Sequence, residues 1–241
     1  MAEDFSKKTV VHSIPEMDAI RVQRDGAIDI YRPANDTIAA VVIVAGYPDG
    51  GFERAVGCKF KDTGSSVSWA RLIAASGITA VTYSAADPVI GLEGVLGHLQ
   101  ESGFSRLGLW ASSGNAPLAV SRLMRDARKP IACAVLCYPY TLKVPAAAKK
   151  FGFVTPADER SVAEMSVEVP LLLVRAGRDE MPELNKTLDE FIAAVLQHNL
   201  PVTIVNHPSG PHAFDLVDDT RATRAVIQQM LAFIRARLLA R

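Results

Sequence analysis

The stretch Arg106-Leu107-Gly108-Leu109-Trp110-Ala111-Ser112-Ser113-Gly114-Asn115-Ala116 joins a short apolar run to a small, polar turn, and Leu118 to Arg125 then has helical spacing. A short apolar run bounded by turn residues is the pattern of a buried strand. The sequence strand, Ser-Ser-Gly, helix predicts a sharp turn that lifts a hydroxyl away from the sheet and aims the next backbone N–H at whatever that hydroxyl attacks. Strand and helix nearly touch at such a turn, so the residues two positions either side of the nucleophile must be small. Ser113 meets this with Ala111 before it, although Asn115 after it is larger than the usual glycine. Ser112 is the alternative, but it would place Trp110 where almost no side chain fits, so Ser113 is favoured. On this stretch alone, two serines that merely cap a helix remain an open reading.

Working outward, apolar runs recur at Ile38–Ala45, Ile78–Tyr83, Leu107–Ala111, Ile131–Tyr138, Leu171–Arg175 and Val202–Asn206. Most are rich in Val and Ile and nearly continuous, as strands covered on both faces are. Helical spacing is found between them, at Ser66–Ser76, Gly91–Glu101, Ala116–Asp126 and Pro182–Gln197, and in a last segment from about Thr220 to Arg241. This alternation predicts an α/β fold with a doubly wound, mostly parallel sheet, whose functional loops gather at the carboxyl edge of the strands. Two extended pieces, Thr9–Ile14 and Ala27–Tyr31, precede it. One domain is expected over residues 1–241, with N-terminal strands within 1–30 and a short cap within 139–170. Asp49–Ser65 and Pro139–Pro170 read as long loops, a length more often functional than idle.

The 241 residues carry 26 Lys plus Arg against 26 Asp plus Glu, so the formal net charge is zero. Nothing in that balance or its distribution suggests a nucleic-acid partner. No apolar run approaches a membrane span, and the charged N-terminal stretch lacks the apolar segment of a signal peptide. Cys133 and Cys137 lie about 13 Å apart along one expected strand, too far to bridge within it. With Cys58 the cysteines are three in number and form no metal-binding pattern. A reduced, cytoplasmic setting without metal follows.

A hydroxyl nucleophile needs a base, and the base needs an orienting acid. After the run Leu171–Arg175 comes Ala176-Gly177-Arg178-Asp179-Glu180-Met181-Pro182. Asp179 is the first candidate acid and Glu180 the second, a helix cap being the structural alternative. After Val202–Asn206 comes His207-Pro208-Ser209-Gly210-Pro211-His212-Ala213-Phe214-Asp215. His212 is the candidate base, and His207, at the strand end, fits a structural role better. Ser113, Asp179 and His212 each fall just past a strand, in the chain order expected on this architecture. The two N–H donors that an acyl-transfer oxyanion needs are expected from Gly114 and from Tyr47, in Ala45-Gly46-Tyr47-Pro48. Tyr138 and Tyr140 are expected near the pocket, and Cys58 is an incidental loop cysteine rather than a second nucleophile.

The chain resembles the α/β-hydrolase superfamily, and within it the small dienelactone-hydrolase-like and acyl-peptidase-like members. The resemblance rests on Tyr31-Arg32-Pro33, Ala45-Gly46-Tyr47-Pro48, Trp69 to Gly77, Gly108 to Asn115, Arg175 to Asp179 and Gly210 to Phe214, and runs from about Tyr31 to the end. It implies Ser113 as nucleophile, His212 as base and Asp179 as its partner. It further implies a serine hydrolase that cleaves small esters or related acyl compounds without a cofactor, the alternatives being a catalytically silent binding protein on the same fold or a peptide, thioester or carbon–carbon bond hydrolase on the same triad. Three departures stand out. Ser113 replaces the cysteine of true dienelactone hydrolases, Ala45 stands where histidine often precedes the oxyanion glycine, and Ala111 and Asn115 replace both glycines of the turn.

Overall fold

The computed structural model describes residues 5–124, 131–155 and 161–240. Its strands are β1 (Arg21–Asp25), β2 (Ile28–Arg32), β3 (Ala39–Ile43), β4 (Thr79–Tyr83), β5 (Arg106–Ser112), β6 (Ile131–Cys137), β7 (Leu171–Arg178) and β8 (Val202–Pro211). The helices are α1 (Asp49–Val56), α2 (Gly64–Ala75), α3 (Pro88–Glu101), α4 (Ala116–Leu123), α5 (Ala146–Lys149), α6 (Leu184–Gln197), α7 (Phe214–Val217) and α8 (Arg221–Leu238).

The described sheet runs β1-β2-β4-β3-β5-β6-β7-β8. β1 and β2 pair antiparallel, as do β2 and β4, and every pairing from β4 to β8 is parallel. This is the α/β, mostly parallel architecture that the alternating pattern predicts. The cause is burial. All five residues of β3 are 0% exposed, and Leu172, Leu173 and Val174 of β7 are at most 1% exposed. Strands covered on both faces have no solvent side to hold polar residues.

The chain leaves β3 for β4 on one side, then crosses back to β5 on the other and continues outward. Right-handed crossovers therefore set α2 on the opposite face from α3, α4 and α6. α8 joins α2, and Arg235 donates to the Ser76 carbonyl at 2.8 Å. Trp69 of α2 lies 4.7 Å from Trp110 of β5, ring to ring, and buries it on that face. The reversal at β3 opens a crevice at the carboxyl ends of β3 and β5, the place where such sheets bind ligands.

Several expectations are corrected. Thr9–Ile14 is not a strand: the Val10 N–H donates to Ser68 Oγ at 2.9 Å and the Val11 N–H to the Asp215 carbonyl at 2.8 Å, so the segment straps across α2 and α7. The strand that does precede β2 is β1, an edge strand whose residues are nearly all exposed. The expected loop Asp49–Ser65 contains α1, ended by Gly57 with φ 87°. β7 and β8 run three and five residues past their expected ends, and α6 starts at Leu184 rather than Pro182. Within 139–170 the described structure is loop, the single turn α5 and one 3-10 turn at Val162–Glu164. The expected helix ends at Asp126 and Arg241 lie outside the described residues, as does part of the expected cap.

Candidate active site

β5 stops at Ser112 and α4 starts at Ala116, so the chain reverses within three residues. Ser113 takes up the reversal with φ 49°, a left-handed conformation that costs a side-chain-bearing residue on the order of 1 kcal/mol. Its carbonyl accepts from the Tyr140 N–H at 3.2 Å, which helps to hold the turn. Ala111 is 0% and Trp110 2% exposed, both packed into the core rather than into the turn.

Asn115 does more than replace a glycine. It is 6% exposed, and its Oδ1 accepts from the Gly46 N–H at 2.8 Å. Gly46 must be a glycine at this approach, since a Cβ there would lie 2.7 Å from Asn115 Cα and 2.9 Å from the Gly114 carbonyl oxygen. The Gly46 carbonyl in turn accepts from the Val154 N–H at 2.8 Å. The loop carrying Tyr47 is thus fixed against the turn carrying Ser113 and Gly114. The Tyr47 hydroxyl and the Phe153 ring sit so close over Gly114 that a side chain there would collide with both.

β7 delivers Asp179 immediately after its last residue, Arg178. The Asp179 side chain is 0% exposed. Its Oδ1 accepts from the Met181 N–H at 2.9 Å and its Oδ2 lies 2.7 Å from His212 Nδ1. It does not cap α6, whose N-cap position is Glu183. β8 delivers His212 one residue after its own end, and the β7–β8 register shifts between Ala176 and Arg178. Such an irregularity re-aims side chains at a strand end. His212 Nε2 lies 3.0 Å from Ser113 Oγ. The neutral imidazole with its proton on Nδ1 satisfies both contacts, donating to Asp179 and accepting from Ser113.

The structure therefore brings Ser113, His212 and Asp179 together, and their alternatives take no part in those contacts. Ser112 is the last residue of β5. Glu180 is exposed. His207 is 1% exposed, and its Nε2 pairs with Thr223 Oγ1 at 2.8 Å, as a structural histidine does. His212 is not on a free loop, however: strand β8 carries the chain through His207 and both prolines to Pro211.

A cleft of two lobes meets at Ser113 and His212. The larger, about 430 Å³, is walled by Tyr47, Phe52, Tyr140, Phe151, Phe153 and Met181. The smaller, about 210 Å³, is closed by Phe60, Tyr138 and Leu216, with Thr63, Ser65 and Asn115 as polar points. No lysine, arginine, aspartate or glutamate lines either lobe among the described residues. Tyr140 stacks on Phe153 at 5.5 Å, and Tyr47 meets Phe153 edge-on at 5.7 Å. Burial pushes the Tyr47 and Tyr140 phenols up to about 12, so both present neutral hydroxyls.

Sequence reading expects Tyr138 near the pocket but misses Asp215 and the bonds that stand behind the imidazole. Tyr138, at the end of β6, has φ 37° and presents its ring to that of His212 at 4.9 Å. Its hydroxyl donates to Asp215 Oδ1 at 2.6 Å, and Trp69 Nε1–H donates to Asp215 Oδ2 at 2.7 Å. Asp215 lies only three residues past His212, but its partner Trp69 is 146 positions away, so no local pattern links them.

Among the described residues no cluster of His, Cys, Asp and Glu could hold a metal ion, and no helix is long and apolar enough to cross a membrane.

No protein-family model matches the sequence, and no curated protein matches it significantly. Solved structures do. The crystal structure of DphMB1 superposes with a TM-score of 0.71 at 20% identity, covering 95% of this chain and 90% of the other. A thermostable esterase from Pseudomonas putida ECU1011 gives 0.66 at 17% identity, covering 95% and 86%. MGS-M1, an alpha/beta hydrolase enzyme from a Medee basin deep-sea metagenome library, gives 0.62 at 16%, covering 92% and 99%. Likeness at such identities is likeness of fold, and the fold is that of the α/β hydrolases.

Proposed function

We propose that this α/β-hydrolase-fold chain is a serine hydrolase that cleaves small, uncharged carboxylic esters through an acyl-enzyme. The observation that carries this reading is the continuous chain of contacts from Ser113 Oγ through the His212 ring to Asp179, at 3.0 and 2.7 Å. Ser113 attacks the ester carbonyl while His212 Nε2 takes its proton. Asp179 holds the imidazole in the required tautomer and stabilises the imidazolium that forms. The backbone N–H groups of Tyr47 and Gly114 receive the negative oxygen, on loops held together by the Asn115–Gly46 bond. His212 then protonates the departing alcohol, and a water activated by the same imidazole releases the acid.

The cleft lining supports an ester over a free peptide. A site for a peptide terminus needs a counter-charge, and the described residues of the lobes supply none, whereas their aromatic walls suit an apolar acyl or alcohol group. The described part of 139–170 serves as the small cap, contributing Phe151 and Phe153. A subtype close to dienelactone hydrolases rests on the sequence motifs and on no feature of the cleft.

The test is labelling by a fluorophosphonate probe together with hydrolysis of a short p-nitrophenyl ester. Wild type is expected to label at Ser113 and turn over the ester. Ser113→Ala is expected to lose both, with a fall in kcat of roughly 10⁴-fold or more, and Ser112→Ala to keep both. Undiminished turnover by folded Ser113→Ala sinks the reading, as does an unlabelled wild type without turnover.

A further inference from the structure

We propose that Asp215 is a positioning residue for His212: held by Trp69 and Tyr138, it locks the Tyr138 ring against the imidazole and adds a second buried negative charge behind it. This rests on the serine-hydrolase reading for its consequence, though not for its measurement.

Asp215 is 0% exposed, yet the proposed reaction does not use it. A buried carboxylate is costly unless its oxygens are paired. Here both are paired, with donors from two different elements: the Trp69 indole from α2 at 2.7 Å and the Tyr138 hydroxyl from the end of β6 at 2.6 Å. The indole N–H can only donate, and 2.6 Å is within the range of an O–H···O⁻ bond, so the two donors suit a carboxylate held as an anion. Burial alone raises Asp215 above the ordinary aspartate range, and the two donors and the nearby His212 oppose that rise.

The groups facing this carboxylate leave His212 as the cation it can stabilise. From β6 come Tyr138 and Cys137, whose thiol is pushed well up by its complete burial and by the charges of Asp215 and Asp179. From α2 comes neutral Trp69, and among the described residues no lysine or arginine acts on the carboxylate. The Phe214 ring stands 5.5 Å from that of Tyr138 and 5.0 Å from that of His207. His212 is therefore bonded directly to Asp179 and linked to Asp215 through the Tyr138 ring. The strain at Tyr138, with φ 37°, is what a position held by such bonds can sustain. As positive charge grows on the imidazole during Ser113 attack, both carboxylates favour it.

Asp215→Asn keeps the shape: its carbonyl can accept from Trp69 while its amide donates to a rotated Tyr138 hydroxyl. The charge alone is removed. The His212 imidazole is followed by NMR across pH, which needs no substrate, in wild type, Asp215→Asn and Tyr138→Phe. The expected result is a His212 midpoint lower in Asp215→Asn by about half a pH unit or more, because the imidazolium has lost a partner. The acid limb of kcat/KM should move to lower pH in step, with kcat falling several-fold and KM nearly unchanged. Tyr138→Phe strips one donor from the buried carboxylate, which then holds a proton more readily and loses its charge, so both readouts should move the same way. An unmoved His212 midpoint in folded Asp215→Asn overturns the proposal and leaves Asp215 as a fold anchor. If Asp215→Asn does not fold, Tyr138→Phe decides by the same criterion. Loss of Ser113 labelling in wild type would defeat the catalytic reading without touching the NMR result, so the two failures are separable.

Discussion

Asn115 Oδ1 accepts the Gly46 N–H at 2.8 Å, and this one bond ties the turn after β5 to the loop after β3. Neither N–H proposed for the oxyanion belongs to Asn115, yet the spacing between them depends on it. Asn115→Ala leaves the Gly46 N–H buried without that acceptor, at a cost of about 1–3 kcal/mol in stability. It should also lower kcat by roughly tenfold with little change in KM, since a loosened donor pair is felt most in the transition state. Asn115→Asp keeps an acceptor oxygen in place and should retain more activity than Asn115→Ala. Steady-state kinetics on the two variants, with Ser113 labelling as a control, decide it; equal losses in both would mean that the acceptor oxygen, which Asn115→Asp keeps, is not what holds the loops.

The same junction predicts a steric effect. A methyl group on Gly46 would lie 2.7 Å from Asn115 Cα, a backbone atom that cannot swing away. Gly46→Ala must therefore push the two loops apart, at a cost of about 1–3 kcal/mol. For a chain of this size that lowers Tm by several degrees, at roughly 2–4 °C per kcal/mol. Turnover should fall further than after Asn115→Ala, because the loops are displaced rather than loosened. A melt indistinguishable from wild type would contradict the packing described here.

The elements that sequence reading found and missed differ in a physical way. β3, β5, β6 and β7 are legible because burial on both faces writes itself as unbroken apolar runs. β1 (Arg21–Asp25) is illegible because an exposed edge strand needs no apolar residue, and Thr9–Ile14 misleads because its Val and Ile pack under a strap with no ladder to join. α1 hides behind Gly50 and Gly51. At the site, Ser113, Asp179 and His212 are legible because each follows a strand directly. The roles of Asn115 and Asp215 depend on partners 69 and 146 residues away, and no local spacing encodes those.

The uncharged cleft predicts substrate selection. Its lobes offer aromatic walls and a few hydroxyl or amide groups, with no lysine or arginine among the described residues to meet a carboxylate. An ester whose acyl chain ends in a carboxylate would have to bury that charge unpaired, so its kcat/KM should fall about 100-fold or more below that of the neutral ester of equal length, a gap of ~3 kcal/mol. An aryl ester of a short acid should be preferred to one bulky on both sides, because the lobes of about 430 and 210 Å³ are unequal. Comparable kcat/KM for the charged and neutral members of a matched pair would refute the assignment of the cleft.

The tyrosines predict how the fold fails in alkali. All five of them have phenols raised above the usual value: Tyr47 and Tyr140 to about 12, and Tyr31, Tyr83 and Tyr138 upward as well, in each case chiefly through burial. In the unfolded chain they ionise near pH 10. Between that pH and their folded values the unfolded state has released protons that the folded state still holds, so stability falls as pH rises. Below pH 10 their contribution is fully present; through pH 12 it is progressively lost. Cys133, raised to about 12 by burial, acts in the same direction from its own lower starting point. Tyrosinate absorbance should therefore stay low as pH passes 10 and then rise in one cooperative step, coincident with loss of near-UV circular dichroism. A gradual rise centred near pH 10 in protein that keeps its circular dichroism would mean that these rings are not enclosed as described.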